Sequence, residues 1–378
     1  MNLDWFQLFL VQKTKREKNM TNFPYDGDFS TPNNLEITAF SQLKPKIKGR
    51  RVCVFLGAGF SKAWDDKYPT SNEVFSISED EALENSDEYG FFSLFEGLKF
   101  KWADANASLD DKANVFKSFK YALDVYKRYP SLLPSYLDRH TLELFESQVK
   151  LYIKNKFSKK IPPNDLKLNQ SARFGQNKNS IISFFKSFQE AAVFDVVTTN
   201  YDIVIDKVLN HAFPGRSITR GFPVHNNNVL MCPQPKGIGL YKLNGGFEVV
   251  SEKDGFKIDY DSLSNAKIVP NIILPSNEQD YGDKYFKTAF VKSSGQLRQA
   301  DLLIFIGYSF PKEDFIINFL LNTFLDGDST EKETIIVGRN KNSAVDTHQR
   351  ACEVFKELND KSALYYYGGS FSDLCRQC

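Results

Sequence analysis

Apolar positions in this chain follow two rhythms. The first is a short unbroken run that stops at glycine or a small polar residue. Residues 52–56 stop at Gly57-Ala58-Gly59-Phe60-Ser61, and residues 194–199 at Asn200-Tyr201-Asp202. Residues 302–306 stop at Gly307-Tyr308-Ser309-Phe310-Pro311, and residues 334–337 at Gly338-Arg339-Asn340. Runs of this length, rich in β-branched and aromatic residues, predict strands of a parallel sheet buried on both faces. Residues 239–243, which run into Asn244-Gly245-Gly246, predict a further strand, and residues 364–367 one that closes the sheet. Residues 256–260 and the Ile272-Ile273-Leu274 segment between prolines read as shorter extended pieces.

The second rhythm has spacings of three and four. Phe116, Phe119, Leu123 and Tyr126 make one apolar helix face, and Leu142, Phe145, Val149, Tyr152 and Ile153 another. Pro162-Pro163 and the polar stretch 164–179 interrupt it, and residues 181–192 resume it. Residues 78–192 therefore read as a helical insertion between two strands. Helices are also expected near Ser61 and over 203–209, 283–300, 313–325 and 344–358. Strand, glycine, helix, repeated with long insertions, predicts an α/β fold: a doubly wound, mostly parallel, Rossmann-like sheet with a large helical insertion. The strand ends would then share one edge of the sheet and converge on one crevice.

Residues 1–45 read as an N-terminal extension to a domain spanning 46–378. They are rich in Asn, Pro, Asp, Gly and Ser, with Trp5, Phe6, Phe9 and Leu10 free to dock on the domain or a neighbouring subunit. Composition adds little: 378 residues, 42% hydrophobic, 25% charged and net charge +1, with 34 Phe as the unusual count. The balance does not point to a nucleic-acid-coating surface. No apolar run approaches the roughly 20 residues that span a bilayer. The basic run 13–18 follows the apolar patch 5–11, the reverse of a secretory signal, so a soluble cytoplasmic protein is expected. Cys53, Cys232, Cys352, Cys375 and Cys378 are scattered, and the lone Cys-x-x-Cys at 375–378 has no second pair to make a zinc site.

The chemistry expected of the strand ends follows from backbone geometry. Glycines after a strand allow a sharp turn and close approach, and a helix starting there presents free N–H groups to a diphosphate. Asp202 reads either as a ligand contact or as a helix N-cap, Ser309 as a ligand contact or a turn residue, and Asn340 as a ligand contact or a loop cap.

Taken together, and in this order, the strand ends resemble the sirtuin-like (silent-information-regulator-type) fold over about residues 50–370. Gly57, Ala58, Gly59, Phe60 and Ser61 look like its diphosphate loop. Thr198-Thr199-Asn200-Tyr201-Asp202 looks like its Asn-x-Asp motif at the nicotinamide ribose, in the form typical of bacterial members. Gly307-Tyr308-Ser309 looks like the adenine-ribose motif, and Asn340 falls where such proteins place an Asn near the adenosine. The family's deacylases carry a four-cysteine zinc module, which has no counterpart here, and lack this insertion. The resemblance is therefore to the bacterial NAD+ hydrolases of anti-phage defence, with NAD+ as substrate and no metal. It implies a homo-oligomeric effector, with a separate sensor or activator (an ATPase or a nucleic-acid-guided protein), that depletes NAD+ and aborts infection. Asn200 would position water or the ribose hydroxyls, and Asp202 would sit by the carboxamide or stabilise the loop. Asn244 would occupy the base position.

One departure bears on activity. The family's general base is a His in a Lys-Leu/Ile-His-Gly motif, and this chain has Lys242-Leu243-Asn244-Gly245. A carboxamide takes no proton at neutral pH, and loss of a general base costs about 10²–10⁴-fold in rate. His225, in the loop before residue 242, is the candidate substitute. A silenced NAD+/ADP-ribose-binding regulatory or scaffold subunit is the alternative reading.

Overall fold

A computed structural model describes residues 35–378, except 162, 169–173, 227–228, 233–236, 253–254, 277–278, 280, 312–313 and 327–330. The docking residues Trp5, Phe6, Phe9 and Leu10, and Glu313 at the expected start of a helix, lie outside the described residues.

The predicted runs are strands. In chain order the main sheet contains β1 (Glu36–Ile37), β2 (Arg51–Leu56), β3 (Val193–Thr198) and β4 (Ile218–Thr219). It continues with β5 (Ile238–Lys242), β6 (Leu302–Ile306), β7 (Glu333–Val337) and β8 (Leu364–Tyr367). They lie in the order β1-β8-β7-β6-β2-β3-β5-β4, and every pair is parallel. From β2 the chain winds outward through β3 and β5, then returns to β2's other side and winds outward through β6, β7 and β8. The strand order thus reverses between β2 and β6, the point at which open α/β sheets form their ligand crevice.

Strands covered on both faces can be apolar throughout, and here successive residues feed two cores. Val52, Val54 and Leu56 pack into one cluster with Phe91, Phe116, Phe119 and Phe184 from the first long crossover. Cys53 and Phe55 point the other way, into a cluster with Leu297, Ile317, Leu320 and Ala351. The second cluster lies under the helices Lys284–Gln299, Phe315–Asn322 and Lys341–Val354.

The insertion between β2 and β3 is helical as expected, its longest members being Leu109–Arg128 and Arg139–Lys160. Phe116, Phe119, Leu123, Leu142, Val149, Tyr152 and Ile153 are buried, and Tyr126 and Phe145 pack at the margin of the same cluster. A second sheet is built from Val224–Asn226, Val229–Met231, Val249–Glu252 and Gly255–Ile258.

Two expectations at the sheet's edge need correcting. β8 does not close the sheet, because β1 pairs outside it, Glu36 with Tyr366 and Ile37 with Tyr367. Residues 36–45 therefore belong to the sheet domain and not to an extension, and the helix Phe40–Ile47 buries Phe40, Leu43 and Ile47. A two-residue strand and an eight-residue helix with a proline inside it are too short to show periodicity. Among the described residues, no helix is long and apolar enough to cross a membrane.

Candidate functional site at the carboxyl edge of the sheet

Register brings the strand ends level. Leu56 pairs with Thr198 and Ile306, Thr198 with Lys242, and Ile306 with Val337. The next residues on β2, β6 and β7 are Gly57, Gly307 and Gly338.

Gly57 and Gly307 interlock main chain against main chain. A Cβ at Gly57 would lie 2.5 Å from the Gly307 carbonyl oxygen, and one at Gly59 2.8 Å from the Gly307 Cα. Gly307 has a φ of +65°, in the region that favours glycine. The helix after β2 begins at Ala58, earlier than the expected start near Ser61, and runs to Trp64. Part of the loop's donor capacity is already committed. The Gly57 N–H donates to Ile306 O (3.1 Å), the Gly59 N–H to Gly307 O (3.0 Å) and the Phe60 N–H to Gly57 O (3.0 Å). The glycines thus serve the packing of two strand ends as well as any ligand.

Asn200 joins the second strand end to the first. Its Nδ2 donates to Gly57 O at 2.9 Å and to Ser61 Oγ at 3.0 Å. A backbone carbonyl can only accept, so the amide nitrogen must face the loop, leaving Asn200 Oδ1 for another partner. The Asn200 N–H donates to Thr198 Oγ1, which itself donates to Leu56 O. The Ser61 hydroxyl donates a hydrogen bond to the buried Asp202 carboxylate. Asp202 Oδ1 also accepts from the Val204 N–H at 2.9 Å, opening the helix Val204–Ala212. Burial pushes the Asp202 carboxyl above its ordinary value, against the pull of the Val204 N–H, Lys242 and Ser61.

Asn244 follows β5. Its Oδ1 accepts from the Tyr281 hydroxyl at 2.8 Å, and its carbonyl accepts from the Ile273 N–H at 3.0 Å. Tyr201, between Asn200 and Asp202, donates to Ile273 O at 2.6 Å. Beneath this turn four charged groups are buried together. Lys242 Nζ contacts Asp206 (2.9 Å) and Glu248 (2.7 Å), and Arg220 contacts the same two (2.9 and 2.6 Å). Lys242 also donates to the Asp202 carbonyl at 2.7 Å. Burial alone would raise the Asp206 carboxyl, but Lys242 and Arg220 hold it low, at about 2. Burial raises the Glu248 carboxyl, against the pull of Lys242 and Arg220.

The structure therefore brings together Gly57, Ala58, Gly59, Phe60, Ser61, Asn200, Asp202 and Gly307, with Asn244 in the turn after the neighbouring strand β5. Ser309 and Asn340 sit further along the same edge and are exposed. The Ser309 carbonyl accepts from Arg350 at 2.9 Å. The Asn340 side chain accepts from the Ser343 N–H at 2.9 Å, capping the helix Lys341–Val354. His225 is exposed on the second sheet, and among the described residues no hydrogen bond joins it to Asn200 or Asn244.

Tyr281, Arg220, Asp206 and Glu248 are the site residues that sequence reading missed. One signal pointed to the last three: a lysine at the end of the fully buried strand Ile238–Lys242 requires buried counter-charge. Among the described residues, no group of three or more His, Cys, Asp or Glu is arranged to hold a metal ion.

Residues 195–362 match the family of the SIR2-like domain. No curated protein matches the chain. Among solved structures it is similar to a sirtuin studied for substrate affinity, at 13% identity and TM-score 0.42, covering 89% of this chain and 96% of that one. It is also similar to Sir2 bound to an acetylated peptide, at 14% identity and TM-score 0.41, covering 89% and 94%. A third is Sir2 with a p53 peptide and NAD+, at 14% identity and TM-score 0.39, covering 89% and 95%. The family match runs from β3 through the Asn200 and Asn244 turns to the loop before β8, and over that stretch the chain is similar to the SIR2-like domain.

Proposed function

We propose that this chain is an NAD+ hydrolase, cleaving NAD+ to nicotinamide and ADP-ribose as the effector of an anti-phage defence system. The observation that carries the reading is the Asn200 carboxamide, which ties the Asn-x-Asp turn to the glycine loop at the point where strand order reverses. Both its N–H groups are spent on Gly57 and Ser61, so Oδ1 is the atom that meets a ribose hydroxyl or the attacking water. The glycine loop holds the diphosphate through the backbone N–H groups it has left. Gly307, Ser309 and Asn340 receive the adenosine. Asp202 holds the loop in shape through Ser61 and Val204. Loss of nicotinamide leaves an oxocarbenium-like ribose, and positioning with fixed dipoles lowers that barrier without a base. Asn244, oriented by Tyr281, directs a hydroxyl or water but takes no proton. The defence role, the homo-oligomer and the separate activator rest on the resemblance of the Thr-Thr-Asn-Tyr-Asp motif and on the missing cysteine quartet.

A second reading, a silenced NAD+/ADP-ribose-binding subunit, is favoured by Asn244 alone. NAD+ consumption by the full chain, alone and with the product of an adjoining gene, separates the two. Hydrolysis is expected, slowed about 10²–10³-fold by Asn200→Ala and accelerated by Asn244→His. No turnover in any mixture, together with ADP-ribose binding by calorimetry, would establish the second reading, and absence of both would overturn each.

A further inference from the structure

A cavity of about 420 Å³ opens in the helical insertion, and none of the strand-end residues lines it. Its volume falls within the range of small-molecule pockets. Its walls come from the helices Ser71–Phe75, Glu79–Asn85, Leu109–Arg128 and Arg139–Lys160 and their connections. Four lysines line it: Lys112, Lys156, Lys159 and Lys160.

The carboxylates in the wall are largely spoken for. Glu73 is held by Lys62 at 2.8 and 2.9 Å and by the Thr70 hydroxyl at 2.8 Å. Burial opposes its ionisation, yet Lys62 and Thr70 keep it low, at about 2. Glu81 accepts from Lys156 at 3.0 Å and from the Tyr152 hydroxyl. Glu84, exposed at the rim, is the one wall carboxylate with no cation beside it among the described residues.

The lysines divide differently. Lys156 is consumed by Glu81 and the Ser76 carbonyl. Among the described residues Lys112 reaches only the Ala105 carbonyl (2.5 Å), Lys160 only the Glu73 carbonyl (3.5 Å), and Lys159 has no partner. Three ammonium groups without a carboxylate thus face one cavity. Lys160 and Lys112 add to the burial that lowers the Lys156 ammonium, as like charges crowded together do.

We propose that this cavity binds a phosphate-bearing small molecule through Lys112, Lys159 and Lys160. Tyr89, Tyr152 and Leu109 supply the less polar part of its wall. The site is wired to the crevice. Glu73 in the wall grips Lys62 on the glycine-loop helix Ala58–Trp64. Phe75, on the same turn as Glu73, stands edge-on to Tyr201 at 6.4 Å. The binding itself does not depend on the hydrolase reading.

The test is calorimetric titration of the full chain with inorganic phosphate, pyrophosphate and ADP at fixed ionic strength. Lys159→Glu/Lys160→Glu is compared with Asn200→Ala and with Lys44→Ala/Lys48→Ala, a pair of exposed lysines elsewhere. A binding event weakened at least tenfold by the charge reversal, and unchanged by the other two variants, is the expected result. Weakening with pyrophosphate and ADP alike identifies the phosphate as the recognised group, and weakening with ADP alone requires the nucleoside as well. Binding unchanged by the charge reversal, binding weakened equally by Lys44→Ala/Lys48→Ala, or no binding by any probe would overturn the proposal. Lys112→Ala repeats the measurement without charge reversal if the double variant melts at a lower temperature.

Discussion

Two groups of basic side chains in this molecule face opposite problems. Under the Asn244 turn, Lys242 and Arg220 are enclosed with Asp206 and Glu248, two cations to two anions, none more than 5% exposed at the side chain. In the insertion, Lys112, Lys159 and Lys160 line a cavity with no carboxylate of their own. The enclosed group is electrically complete and has nothing to offer a ligand. It fixes the end of β5, and so the Asn244 turn, against the helix Val204–Ala212. The open group contributes little to stability and keeps its charge for something else. The difference lies in whether each charge has already met its partner.

The comparison breaks most decisively at Glu248. Glu248→Gln leaves two buried cations with one carboxylate, and unfolding in urea is expected to show a loss of about 3–5 kcal/mol. An unchanged midpoint would mean that the quartet is not the closed structure described.

A smaller effect is expected at Asp195, which is buried on β3, accepts from the Gly239 N–H at 2.8 Å and has no ion pair among the described residues. Burial, its main cause, pushes this carboxyl up to about 6. The folded state therefore keeps its proton to higher pH than the unfolded chain does. Its contribution to stability falls as pH rises from about 4 to about 6 and stays lower above that. Asp195→Asn keeps the acceptor and removes the titration. Across that window the parent should lose on the order of 3 kcal/mol more than the variant, read as urea midpoints at pH 4 and pH 7. Equal slopes would sharpen the comparison in the other direction, showing that a lone buried carboxylate costs no more than a paired one. The smallest effect belongs to Lys159→Ala, expected to change stability by less than about 0.5 kcal/mol. A larger loss would place Lys159 among the structural lysines.

The parts of this architecture that were legible in the sequence are local ones. Val52 to Leu56 and Leu302 to Ile306 are apolar because both faces of each strand are covered, and the glycines after them mark the turns. The alignment of strand ends followed from assuming parallel strands. What escaped is non-local or very short. Tyr281 reaches Asn244 across 37 positions, and Tyr260 reaches Asp206 across 54. No periodicity encodes such pairings. Asp206 read as one more residue of an amphipathic helix, although it is buried. Asn340 was open between ligand contact and cap, and its bond to Ser343 shows the cap in use.

The seam between β2 and β6 also has a consequence for how the chain is made. The Arg51 N–H donates to the Asp301 carboxylate, a partner 250 positions later. Contacts this distant close late, because loop entropy must be overcome before they are rewarded. On the ribosome, β2 emerges with two apolar faces and two unpaired hydrogen-bonding edges, and the insertion helices can pack together first. The crevice is completed only when residues 302–307 have been delivered. A nascent chain halted before that point carries the glycine loop and the Asn200 turn but no assembled crevice.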